Sequence, residues 1–273
     1  KGLSTTDVGI AENLLIFLKG FLVAHPEYAQ NGNDFWVFCE SYGGKMTAYY
    51  GAALADAIAN KEVSVNFKGV ALGDGWVDPI DCMKSYGDYL KGFSQVNEAQ
   101  RKSALEEGKG FEATNWWGIQ QNYIGTFAAG VNWYNDLYYY DYTADNQLND
   151  YLAGEFTKER GSLIPDGVAY GQQGGAVFNT MGGSFMNDGI SQVDHILKSG
   201  YQVHVYGGQL DLIVDVICIE KWMSKLTWPN INKFQAASRV PLYTPGEQNV
   251  QLFEQNFASL TYWQVMKAGH MVP

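Results

Sequence analysis

Between Thr6 and Ala24, Val8, Leu14, Leu15, Leu18, Phe21 and Leu22 recur at helical spacing, the signature of an amphipathic helix. Thr5, Thr6 and Asp7 offer N-cap oxygens at its start. His25-Pro26 ends it, because a residue before proline is biased away from helical geometry. The run Asp34 to Cys39 is short, apolar and rich in strand formers. It passes through Glu40-Ser41-Tyr42-Gly43-Gly44 into an alanine-rich stretch, Lys45 to Asn60, of helical character. A second strand is expected at Phe67 to Leu72, stopping at a loop that runs from Gly73 to Pro79.

The pattern changes from Tyr86 to about Phe178. A polar helical stretch, Ser94 to Gly108, leads into an aromatic segment from Trp116 to Tyr142, which reads as a mostly helical lid. Regular alternation resumes after the glycine-rich stretch Gly171 to Gly183, with a helix at Ile190 to Lys198 and a strand at Tyr201 to Tyr206. A helix near Ile217 to Leu226 and a final strand at Leu260 to Met266 complete the series. Strands alternating with helices imply an α/β protein with an open, mainly parallel sheet. The expected organisation is core at 1–85, lid at 86–180 and core again at 181–273.

Composition narrows the function. Acidic residues outnumber basic ones 29 to 18, for a net charge of −11, and so negative a surface repels phosphate backbones and argues against nucleic-acid partners. The most apolar stretch, Asn13 to Ala24, is interrupted by Lys19 and too short to span a bilayer. Cys39, Cys82 and Cys218 form an odd, sparse set that does not identify a redox compartment. Cys218 reads as a buried structural thiol, and Asp215 as a loop residue or one supporting the site from behind, not a second catalytic acid.

The chemistry concentrates after three strands. Ser41 sits on a strand-to-helix turn with Gly43 two residues on, an elbow that projects a hydroxyl alone. A hydroxyl needs a base in hydrogen-bond reach to act as a nucleophile near neutral pH. Of the four histidines, His270 follows a strand in an Ala-Gly-His-Met turn, whereas His25 lies in a helix-ending loop, His195 on a polar helix face and His204 within a strand. Asp211, just past the strand at 201–206, is placed to hold the imidazole in one tautomer. The order Ser41, Asp211, His270 is that of the α/β-hydrolase fold. Taken singly, each also fits a turn residue or loop cap, and Cys39 stands where the general nucleophile motif has glycine. No metal-ligand pairing or phosphate loop is visible.

Four strings together extend this reading: Glu40 to Lys45, Gly73-Asp74-Gly75-Trp76, Gly208 to Asp215, and Lys267 to Pro273. In these the chain resembles the serine carboxypeptidase family. The resemblance implies release of C-terminal residues from peptides through an acyl-enzyme on Ser41, with no cofactor. His270 would be the base, Asp211 its partner and the Tyr42 N–H one oxyanion donor. Glu40 would help bind the substrate's terminal carboxylate, and two acids sharing a proton would favour acidic pH. Trp76 would line a side-chain pocket or pack in the core. Acyl transfer or lyase chemistry on the same fold, and a non-catalytic binding role, stay open. The family also carries a Trp-x-Asn-Gly-Gly-Pro-Gly segment and a final helix that these residues lack. The chain is therefore expected to be an incomplete portion, without the N-terminal strands, of a lysosomal, vacuolar or secreted enzyme.

Overall fold

In the computed structural model of the protein, residues 2–30, 32–109, 131–139, 146–154 and 174–272 are described. Helix α1 (Asp7–Ala24) starts at the N-cap Thr6, whose hydroxyl accepts from the Gly9 N–H at 3.1 Å. A single turn, α2 (Glu27–Gln30), leads into strand β1 (Asp34–Glu40). Helix α3 (Tyr42–Ala59) follows after one residue, Ser41. Strand β2 (Asn66–Gly73) and helix α4 (Pro79–Gly92) come next. Pro79 opens α4, and the Asp78 carboxylate accepts from the Ile80 and Asp81 N–H groups.

Helix α5 (Glu98–Lys109) realises the expected polar helical stretch. Strands β3 (Val131–Asn132) and β4 (Asn135–Tyr139) form an antiparallel hairpin, where a mostly helical lid is expected from the sequence. Short helices α6 (Asn146–Ala153) and α7 (Gly175–Met181) are the other described elements of that stretch. The aromatic residues at 110–130 and 140–145, and Gly171, lie outside the described residues. Helix α8 (Ile190–Lys198), strand β5 (Gln202–Gly208) and helix α9 (Val216–Ser224) fall where the alternation puts them. Helix α10 (Ile231–Ala236) precedes strands β6 (Val240–Leu242), β7 (Leu252–Phe257) and β8 (Leu260–Val265).

The main sheet has the order β1-β2-β5-β8-β7-β6. Its first four strands are parallel; β7 and β6 extend it antiparallel. β6 and β7 leave no clear mark in the sequence, because β6 is three exposed residues long and β7 carries polar Glu254, Gln255 and Asn256. One sheet face presents Val70, Leu72, Val203 and Val205, all essentially without exposed surface. Gly51 of α3 packs against Val70 and Ile196, and Gly207 of β5 faces Ile219 of α9. This fully buried layer holds the strand ends in register and so fixes where their following loops emerge. Because four parallel strands end on the same side, those loops share one edge.

Helices α4 and α9 are joined by a disulfide between Cys82 and Cys218, 136 residues apart in sequence. Cys218 is therefore half of a cross-link and not the structural thiol expected from the sequence. Beside it, the wholly buried Asp215 caps α9 through the Cys218 N–H at 2.8 Å and accepts from the Ser85 hydroxyl at 2.6 Å. Burial pushes its carboxyl up to about 7, against the pull of those two hydrogen bonds.

Two outcomes check these features. Thiol titration of the denatured, unreduced protein should give one reactive sulfur, Cys39, and three after reduction; three before reduction would contradict the cross-link. A carboxyl raised from 3.8 unfolded to about 7 folded binds its proton more tightly in the folded state. Its contribution is thus fully present below about pH 3.8 and lost as pH rises through about 7. The melting temperature should accordingly fall between pH 5 and pH 8, and Asp215→Asn, which keeps the cap but cannot titrate, should flatten that slope.

Candidate active site

Ser41 bridges β1 and α3 with φ 60° and ψ −128°. A non-glycine residue there costs on the order of 1–3 kcal/mol, which the surroundings must offset. Three backbone bonds do so. The Ser41 N–H donates to Gly73 O at 3.0 Å, and its carbonyl accepts from the Gly44 and Trp76 N–H groups, both at 2.8 Å. The elbow is therefore clamped to the loop after β2. Gly44 is required by this clamp, since a Cβ there would lie 2.5 Å from the Gly75 Cα. The Ser41 side chain makes no cap bond to the helix it precedes. Its neighbour Tyr42 begins α3, whose leading N–H groups have no partner within the helix and carry the positive end of the dipole.

A buried polar cluster stands behind the elbow. The Tyr42 hydroxyl donates to Asp7 Oδ1 at 2.8 Å, and the Ser184 hydroxyl donates to Asp7 Oδ2. Lys45, without exposed surface, donates to the carbonyls of Ser184, Phe185 and Asn187 at 2.7–3.0 Å. Burial pulls its ammonium down to about 8, although the Asp7 charge resists. Phe185 stacks on Tyr42, with centroids 5.5 Å apart, and touches Trp76 at 5.6 Å. Trp76 is 3% exposed and belongs to the core. Glu40 ends β1 with an exposed side chain beside the elbow.

Asp211 and His270 meet in the interior. His270 Nδ1 lies 2.7 Å from Asp211 Oδ2, with the two side chains 2% and 0% exposed. An ionised carboxylate only accepts, so Nδ1 carries the hydrogen and Nε2 a lone pair. The other oxygen, Asp211 Oδ1, accepts from the Ile213 and Val214 N–H groups at 2.9 and 3.2 Å. Burial pulls the His270 pKa down, but the Asp211 charge, their hydrogen bond and the Glu40 charge outweigh it, and the net shift is upward. Nε2 is buried with no hydrogen-bond partner among the described residues. The structure brings Asp211 and His270 together but forms no Ser41–His270 hydrogen bond.

The loop carrying His270 is held by a part of the chain whose sequence pattern resembles a lid. At the turn of the β3–β4 hairpin, the Tyr134 carbonyl accepts from the His270 N–H at 2.7 Å, and Trp133 O accepts from the Leu212 and Ile213 N–H groups. Gly269 fits here because a Cβ would strike the Tyr134 carbonyl. Tyr86 and Tyr89 of α4 donate to the Ile213 and Gln209 carbonyls, both at 2.9 Å. Such supports are carbonyl contacts, which leave no residue-type signature. Asp74, to which the sequence assigns no role of its own, is buried beside the pair, its Oδ1 accepting from the Gly208 N–H at 2.9 Å. Ligating atoms of Asp74, Asp211 and His270 lie within 4.8 Å of one another. The Asp211 and His270 atoms already bond each other, which accounts for the grouping without an ion.

The other histidines stand elsewhere. His25 caps α1, His195 contacts Asp56 on the surface at 2.7 Å, and His204 is stacked on Trp263 within the sheet. Ser41, Asp211 and His270 follow β1, β5 and β8 at the same sheet edge.

Comparison with known proteins agrees with this architecture. The serine carboxypeptidase family matches residues 1–273. The retinoid-inducible serine carboxypeptidase of Mus musculus is 34% identical over 97% of this chain and 66% of its own length. The venom serine carboxypeptidase of Apis mellifera is 27% identical over 100% of this chain and 61% of its own. The chain therefore spans just under two thirds of these relatives. The structure of Kex1(Δ)p, a prohormone-processing carboxypeptidase from Saccharomyces cerevisiae, superimposes with a TM-score of 0.82, covering 99% of this chain and 65% of that one at 16% identity. The fold is that of an α/β hydrolase, and the chain belongs to the serine carboxypeptidase family.

Proposed function

We propose that the protein is a serine-type carboxypeptidase that removes C-terminal residues through an acyl-enzyme on Ser41. The observation that carries this reading is the buried 2.7 Å Asp211–His270 bond, at the same sheet edge as a strained serine elbow, in a chain of this family. His270 Nε2 takes the proton of Ser41 Oγ as that oxygen attacks the scissile carbonyl, then returns it to the leaving amine. Asp211 stays ionised and stabilises the imidazolium between those steps. The Tyr42 N–H, at the start of α3, is one donor to the oxyanion. Exposed Glu40, next to the nucleophile, binds the substrate's terminal carboxylate by sharing a proton with it.

These assignments set two opposing pH limits. The raised His270 pKa makes the base fail as pH falls through its titration. Loss of the proton shared between Glu40 and substrate weakens binding as pH rises. Activity on the acidic side of neutrality follows from the second limit and is bounded by the first. The Cys82–Cys218 cross-link suits an oxidising compartment, and the net charge of −11 suits an acidic one. Lysosome, vacuole or secretion fits both. No described helix is long and apolar enough to cross a membrane.

The test uses N-blocked dipeptides with free and amidated C-termini, assayed on the full-length protein. Free acids should be cleaved and amides much less so, and Ser41→Ala should lower kcat by roughly 10⁶-fold. Equal cleavage of acids and amides would reject the carboxypeptidase reading. Activity surviving Ser41→Ala would reject the nucleophile.

A further inference from the structure

The turn Gly73-Asp74-Gly75-Trp76 takes no part in the steps above, yet it places a carboxyl group directly behind the Asp211–His270 pair. Asp74 leaves β2 with φ 39°, and its N–H donates to Tyr206 O of β5 at 2.8 Å. Oδ1 is held by the Gly208 N–H at 2.9 Å. Oδ2 has no donor among the described residues, although the side chain has no exposed surface. What faces it is another carboxyl, with ligating atoms of Asp74, Asp211 and His270 all within 4.8 Å.

Two buried carboxyl groups so close cannot both be ionised without strong repulsion, so the pair retains a proton. The hydrogen-bond inventory places it. Asp211 accepts from three donors, the Ile213 N–H, the Val214 N–H and His270 Nδ1, whereas Asp74 accepts from one. The anion belongs on the better-solvated partner, Asp211, and the proton on Asp74. We propose that Asp74 is a positioning residue that stays protonated and donates an O–H···O bond to Asp211, fixing that carboxylate and moderating the basicity it confers on His270. This rests on the roles given above to Asp211 and His270. Burial first, then the Asp211 charge and hydrogen bond, lift the Asp74 carboxyl well above its ordinary range, consistent with a retained proton.

Other groups act around the pair. Glu40 faces Asp74 from the end of β1, Tyr206 from β5 and Tyr262 from β8; Asp215, Asp136 and Tyr89 act on Asp211 or lie near it. Every one of them is acidic or neutral. Ionising Asp74 would add a charge to an already anionic site.

Two variants separate the donor from the acid. Asp74→Asn keeps a carbonyl for the Gly208 N–H and an amide donor for Asp211, while Asp74→Ala removes both. In the full-length protein, Asp74→Asn should leave kcat within about 3-fold, whereas Asp74→Ala should lower it at least about 10-fold with KM within about 2-fold. His270, followed by imidazole ¹⁵N shifts, should titrate at higher pH in Asp74→Ala than in wild type and hardly move in Asp74→Asn. Equal impairment of both variants, or an Ala variant with unchanged kcat and titration, would overturn the proposal. Should Asp74→Ala not fold, aspartate carboxyl ¹³C shifts still decide. Wild type at pH 7 should show a protonated carboxyl that Asp74→Asn removes; an ionised Asp74 there would overturn it. A folded wild type that no fluorophosphonate labels defeats the hydrolase reading, while the ¹³C result judges Asp74 independently.

Discussion

A carboxylate removed from water governs the C-terminal edge of the sheet. Asp211 has no exposed surface, so its charge has to be balanced by donors that the fold brings to it. Two backbone N–H groups and the His270 imidazole supply them. Much of the surrounding structure holds those donors in place. The β3–β4 hairpin receives the N–H groups of His270, Leu212 and Ile213, and two tyrosines of α4 hold the Gln209 and Ile213 carbonyls. Releasing any one support leaves a buried acceptor or donor unpaired, at a cost of about 1–3 kcal/mol. The Asp211 carboxylate is therefore held by donors that several elements position at once.

The serine side of the edge is held by different physics. Ser41 stores backbone strain, and the β2 loop offsets it with two hydrogen bonds made possible by the closeness of Gly44 and Gly75. Lys45, Asp7 and Ser184 add a buried polar brace from α1 and the segment before α8. His270 Nε2, on the far side of the ring from Asp211, has a lone pair unclaimed among the described residues. A proton acceptor without a competing partner is what a general base requires before substrate arrives.

The parts of this legible in the sequence share a local cause. Helical periodicity and strand composition locate α1, β1, β2, α8, β5, α9 and β8 within a few residues, because each buries one face or both. The elbow is legible because glycines are needed where backbones touch. The antiparallel edge is not, since β6 is short and exposed and β7 mixes polar with apolar positions. The Cys82–Cys218 pairing is hidden by 136 residues of separation and an odd cysteine count. At the site, Ser41, Asp211 and His270 can be named from chain order, and the structure brings Asp211 and His270 into contact. Trp133, Tyr134, Tyr86 and Tyr89 cannot, because they act through backbone carbonyls or in tertiary contact with them. Asp74 belongs to a recognisable string, but its neighbour Asp211 is 137 positions away, and only the adjacency of β2 and β5 joins them.

If Asp211 acts through His270 to activate Ser41, the reactivity of that serine must depend on both partners. The rate at which a fluorophosphonate modifies Ser41, followed against pH in wild type and Asp211→Asn, reads this dependence without any assumption about substrate. In wild type the rate should rise with pH along a single ionisation, that of His270 seen independently by imidazole shifts. Asp211→Asn favours the wrong tautomer and should slow the reaction by roughly 10⁴-fold in a protein that still folds. A rate indifferent to pH, or an Asp211→Asn variant labelled as fast as wild type, would show that Ser41 is not activated through this pair.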